Sequence, residues 1–121
     1  MTTKVLAIDD SRTIREMLKA ALAQGGFEVF VAEDGVEGIE KLPEVQPDVV
    51  ITYINMPRMD GFGVIEAIRS EGAYAGLPVL VLTTESAQEL KERARNIGAT
   101  GWIVKPFDDN RLIGTIRRVT A

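Results

Sequence analysis

Two acidic residues, Asp9 and Asp10, directly follow a short apolar run, Val5-Leu6-Ala7-Ile8. Adjacent carboxylates at a partly dry strand end repel one another, so something must offset them. Helix capping explains one of the two at most, and Asp10 or Ser11 is placed to do it. A hard divalent cation explains both: Mg2+ takes oxygen ligands and keeps several waters, so few carboxylates suffice. Other apolar runs also end in residues able to do chemistry. Thr52-Tyr53 follow Val49-Val50-Ile51, Thr83-Thr84 follow Val79-Leu80-Val81-Leu82, and Lys105-Pro106 follow Ile103-Val104. An isolated lysine is an ordinary surface residue; opposite two acids it becomes an ion-pair or phosphate partner. Thr83 reads equally well as a β-branched strand residue whose hydroxyl bonds nearby backbone.

Composition narrows the chemistry further. The chain of 121 residues has no Cys and no His. That removes disulfides, thiolate nucleophiles, Cys-ligated zinc and the commonest general base. Fourteen basic against eighteen acidic residues give a formal charge of −4, which offers a nucleic-acid surface no general electrostatic support. Apolar residues at 45% and charged residues at 26% are ordinary globular proportions. The length fits one domain over residues 1–121. The N-terminal stretch MTTKVLAIDDS lacks the apolar segment of a signal peptide. No apolar run approaches the ~18 residues of a spanning helix, so a cytoplasmic, monomeric protein away from membranes is expected.

These residues need a scaffold that gathers strand ends. Val5–Ile8, Val29–Val31, Val49–Ile51, Val79–Leu82 and Ile103-Val104 are short runs without alternation, as in strands buried on both faces. Helical patterns separate them. Ile14, Met17, Leu18, Ala21 and Leu22 share one helix face that ends at Gly25-Gly26. Asp34 with Glu37, and Ser86 with Glu89, have capping-box spacing. Gly98 is placed to stop the helix that Ser86 starts. Phe62, Ile65 and Ile68 give a helix between the third and fourth strands, and Leu112, Ile113, Ile116 and Val119 a closing one. Strict βα alternation predicts an α/β three-layer sandwich of flavodoxin-like type: five parallel strands in the order 2-1-3-4-5, with five helices. In such a sheet the working crevice lies beyond the carboxyl ends of the strands.

Asp9-Asp10, Asn55-Met56-Pro57-Arg58-Met59-Asp60-Gly61, Thr83 and Lys105-Pro106-Phe107, in this order, resemble the receiver domain of two-component response regulators. The nearest type is the single-domain, CheY-like chemotaxis regulator, and the resemblance spans essentially the whole chain. It implies that Asp9 and Asp10 hold Mg2+ and that Asn55 lends its backbone carbonyl to the metal. It also implies that Thr83 and Lys105 contact a phosphoryl group, with a cis peptide at Lys105-Pro106. Trp102 matches the aromatic switch position on the fifth strand. The implied partners are a CheA-like sensor histidine kinase and a downstream effector such as a flagellar motor protein. They would dock on the surface of the fourth helix, fifth strand and fifth helix.

One position departs from the pattern. The family's phosphoacceptor aspartate stands three residues before the Met-Pro pair, and here that residue is Tyr53. Asp48 begins the strand, and Asp60 belongs to the following turn. A phenol with an ordinary pKa near 10 is neutral at pH 7, and no His stands ready to activate it. Aspartyl phosphorylation is therefore expected to be lost. Mg2+ affinity should fall more than tenfold, each tenfold being about 1.4 kcal/mol. Either the substitution is recent or introduced, or the chain is a natural pseudo-receiver that signals by binding alone. Retention of Lys105 and both acids, costly charges without a ligand, weighs toward the first. Within the pocket, the ring is placed to block Thr83 from closing, or its hydroxyl to accept a hydrogen bond from Lys105. Arg58 and Glu85 read as exposed solubilising charges.

Two other functions fit less well. A haloacid-dehalogenase-type phosphatase needs a second acid two residues after the first, where Ser11 stands. A flavin module needs a Ser/Thr/Gly-rich phosphate loop, where Arg12-Thr13 lead straight into a helix.

Overall fold

The computed structural model describes residues 2–121. Its strands are β1 (Lys4–Ile8), β2 (Glu28–Ala32), β3 (Val49–Thr52), β4 (Val79–Thr83) and β5 (Gly101–Val104). All pair in parallel, in the order β2-β1-β3-β4-β5. The helices are α1 (Arg12–Gln24), α2 (Gly35–Val45), α3 (Gly61–Ser70), α4 (Gln88–Asn96) and α5 (Asp109–Val119). The predicted order and element types hold, and a short 3-10 turn at Gly72–Tyr74 is added before β4.

Alternation along each strand divides the core in two. Val5, Ala7, Val49, Ile51, Leu80 and Leu82 face Leu18 and Leu22 of α1 and Leu112 and Ile116 of α5. Leu6, Ile8, Val50, Val79 and Val81 face Leu42 of α2, Phe62, Ile65 and Ile68 of α3, and Ala94 of α4. Helix α2 lies so close to β1 that a Cβ at Gly38 would collide with the Ile8 side chain. Helix α4 is held differently, since Ala94 is its one buried residue. The Arg93 guanidinium stacks 3.9 Å over the Phe62 ring. Arg69 of α3 donates to the Gly98 carbonyl just beyond α4, at 3.0 Å. At the β2 edge of the sheet, the Lys41 ammonium donates to the Val31 carbonyl at 2.6 Å.

Caps explain most helix starts. Ser11, rather than Asp10, caps α1 by accepting from the Ile14 amide. Asp34 caps α2 at the Glu37 amide, while the Glu37 carboxylate reaches back to the Glu33 amide. The Ser86–Glu89 expectation is corrected: α4 begins at Gln88, with Ala87 at the cap position and no side chain capping it. The preceding residue is pulled elsewhere. The Glu85 amide donates to the Thr83 hydroxyl, and its carbonyl accepts from the Trp102 indole. The chain therefore enters the helix later than the spacing predicts.

Candidate functional site

Register brings the chemically able residues to one edge. The Asp9 amide donates to the Ala32 carbonyl, the Tyr53 amide to the Ile8 carbonyl, and the Lys105 amide to the Thr83 carbonyl. Asp9, Tyr53, Thr83 and Lys105 thus all stand at the carboxyl ends of their strands. Asp48 sits at the far end of β3, accepting from the Lys4 amide, and Asp60 caps α3 at the Gly63 amide. Neither reaches this edge.

Asp9 is 1% exposed. Its Oδ2 accepts from the Lys105 ammonium at 2.9 Å and its Oδ1 from the Ser11 amide at 2.9 Å. The same ammonium lies 3.8 Å from the centre of the Tyr53 ring. Lys105 is thus gripped between a carboxylate and an aromatic face. An ammonium over a ring contributes about 0.5–2 kcal/mol, more as the site dries. Of the two arrangements expected for the ring, the hydrogen bond from Lys105 to the Tyr53 hydroxyl does not form; the cation meets the ring face instead.

Asp10 is exposed and has no ion-pair partner among the described residues. Asn55 is exposed on the β3–α3 loop. The available donors are all oxygens, the class a hard cation requires. Asp9 is already committed to Lys105, which leaves Asp10 as the free carboxylate. No group of three or more acidic, His or Cys side chains placed to hold a metal occurs among the described residues. The donor chemistry is compatible with Mg2+, with Asp10 as the carboxylate free to take part.

Thr83 is fully buried, and its hydroxyl accepts from the Glu85 amide at 3.1 Å. The Glu85 carbonyl accepts from Trp102 Nε1 at 3.0 Å. One residue therefore connects the strand-end hydroxyl to the indole of β5. Trp102 is half-buried between two grooves of about 240 and 350 Å3, one along α4 and one along α5. The Lys105-Pro106 peptide is cis. Thr84 is exposed.

Arg58 is the residue whose part went unread in the sequence. Its Nε donates to Asp34 Oδ2 at 2.8 Å and its Nη2 to Asp34 Oδ1 at 3.0 Å. Arg58 is exposed, as expected, and in addition forms a bidentate clamp that the sequence did not reveal. The Arg58 fork and the Glu37 amide hold the Asp34 carboxyl below its ordinary value of 3.8. The unfolded chain takes up that proton more readily, so the clamp's contribution is complete above pH 3.8 and is lost as pH falls through the lower folded value. Arg58→Ala should therefore lower the melting temperature at pH 7, with the gap to the parent closing as pH falls below 3.8. A gap independent of pH would contradict it.

A parallel sheet with an acid–lysine edge and a threonine linked to an aromatic residue defines a receiver-type signalling module. The Response regulator receiver domain family matches residues 5–117. The chain belongs to that family. It is 32% identical to protein PilG of Pseudomonas aeruginosa, over 94% of this chain and 84% of that protein. It is 37% identical to response regulator MprA of Mycobacterium leprae, but spans about half of that protein's length (49%) while 94% of this chain is covered. The chemotaxis protein CheY4 of Vibrio cholerae superposes with a TM-score of 0.93 at 44% identity, covering 98% of this chain and 99% of that one. The fold is CheY-like. No helix among the described residues is long and apolar enough to cross a membrane.

Proposed function

We propose that residues 1–121 form a cytoplasmic CheY-like response-regulator receiver domain in which aspartyl phosphorylation is lost at Tyr53. It acts in two-component signalling of the chemotaxis type. A CheA-like sensor kinase and a flagellar or other effector are its partners, bound by the monomer on the α4–β5–α5 surface. The observation that carries this reading is the Lys105 ammonium held between Asp9 and the Tyr53 ring. It supports reading Tyr53 as the residue at the acceptor position, a phenol in place of a carboxylate, with Lys105 as the amine suited to pair with a phosphoryl group. Asp9, Asp10 and Asn55 would hold Mg2+, which when bound supplies charge neutralisation for an incoming phosphate. Lys105 orients an anion through its charge, and the Thr83 hydroxyl bonds to it once released from Glu85.

The same observation favours the pseudo-receiver reading over a recent substitution. Lys105 and Asp9 satisfy each other, with the ring as a third wall. Each charge has its partner within the protein, so retention of this pair is not by itself an argument for a phosphate or a metal.

Incubation with acetyl phosphate or kinase tests the proposal. The protein should acquire no base-labile phosphate and show no donor-dependent change in Trp102 fluorescence, whereas Tyr53→Asp should do both. Labelling of the unaltered chain to the level of the variant would refute it.

A further inference from the structure

We propose that Arg58 is a positioning residue whose clamp on Asp34 fixes the β3–α3 loop, so that the Asn55 carbonyl is presented to a cation beside Asp9 and Asp10. The inference rests on reading that edge as a cation site.

The loop is closed at its neck and tied at its tip. At the neck the Gly61 amide donates to the Ile54 carbonyl at 2.8 Å, and a Cβ on Gly61 would collide with the Tyr53 carbonyl. At the tip the Arg58 fork grips Asp34, and the Gly35 amide donates to the Met59 carbonyl at 3.2 Å. A Cβ on Gly35 would stand 2.5 Å from that carbonyl, so α2 presses directly on the loop. Between neck and tip the Met59 amide closes a tight turn on the Pro57 carbonyl at 2.8 Å. Arg58 itself has φ +67°, a left-handed conformation that residues with a Cβ seldom adopt. A residue held there by a two-pronged ion pair is fixed by more than local preference. Among the described residues, that fork is the loop's side-chain link to α2, while Asp60 at the loop's end caps α3. Asn55, three residues away, is exposed on the loop so framed.

The proposal separates from simple electrostatics by sign. Arg58 carries a positive charge, so on Coulombic grounds its removal should strengthen binding of a nearby cation. A positioning role requires the reverse. Mg2+ alone is titrated into Tyr53→Asp protein with and without Arg58→Ala or Arg58→Lys, followed by Trp102 fluorescence and by the Mg2+-induced melting shift. Roughly tenfold or more weaker binding is expected for Arg58→Ala, and affinity within about twofold of the single variant, or tighter, overturns the proposal. Arg58→Lys keeps the charge without the fork and should also weaken binding. Amide exchange of residues 55–59 in the otherwise unaltered chain, in chelator, tests the clamp without the metal. Arg58→Ala should accelerate it about tenfold while β1 and β4 amides stay unchanged, and no acceleration overturns the clamp. If Tyr53→Asp alone takes up no Mg2+ while exchange responds as expected, the reading of a cation site fails, and the presenting role with it.

Discussion

Tyr53→Asp should make the protein less stable than its parent in chelator and restore a large stabilisation by Mg2+. In chelator the variant loses the ring over Lys105, about 0.5–2 kcal/mol. It also gains a carboxylate beside Asp9 and Asp10, with only one ammonium to share among the three. A combined loss of about 2 kcal/mol, or roughly 8 °C in melting temperature, is expected for a domain of this size. Mg2+ reverses the balance, because three oxygen anions then converge on a cation in place of two. At a hundredfold excess over its dissociation constant, a ligand confined to the native state adds about 2.7 kcal/mol. The parent, with Asp9 engaged by Lys105, should show only a small fraction of that shift. Thermal melts of both proteins in chelator and in Mg2+ decide the matter, and equal Mg2+-induced shifts would exclude this account of the site.

Lys105→Met should be the more damaging change. Its side chain is 11% exposed and that of Asp9 1%, so the pair is buried. Removing one member of such a pair leaves the other charge stranded, typically at a cost of about 3–5 kcal/mol. The Ser11 amide still bonds Asp9 but brings no full charge to it. Adding Asp9→Asn to Lys105→Met removes the stranded charge and should recover about 2 kcal/mol, a coupling of the size found for residues in direct contact. Urea unfolding of the two single variants and the double variant measures this. Strictly additive losses would mean that the two side chains do not depend on one another.

The fold was legible because it is written locally. Val5–Ile8 and Val79–Leu82 lack alternation since both of their faces are covered, and Asp34 with Glu37 marks a helix start within four residues. Where such local signals misled, a distant partner was the cause. Ser86 and Glu89 have good capping spacing, yet Trp102 and Thr83 draw Glu85 aside and the helix starts at Gln88. Arg58 is a surface charge as its sequence suggests, but its ion pair is not legible because the partner Asp34 lies 24 residues away in the chain. At the site, spacing placed Tyr53 near Lys105 but carried no information on ring orientation. That orientation decides whether the hydroxyl or the face receives the ammonium. The positive φ of Arg58 was hidden for a similar reason, since an arginine in a turn gives no sign of it.

The Lys41 ammonium on the Val31 carbonyl bears on how the protein behaves when crowded. Val31 lies on an outermost strand, where alternate peptide groups point away from β1 with no neighbouring strand to meet them. Another polypeptide stacking along that border would have to displace the lysine and bury its charge. The side chain thus acts as a gatekeeper against edge-to-edge aggregation and cross-β growth.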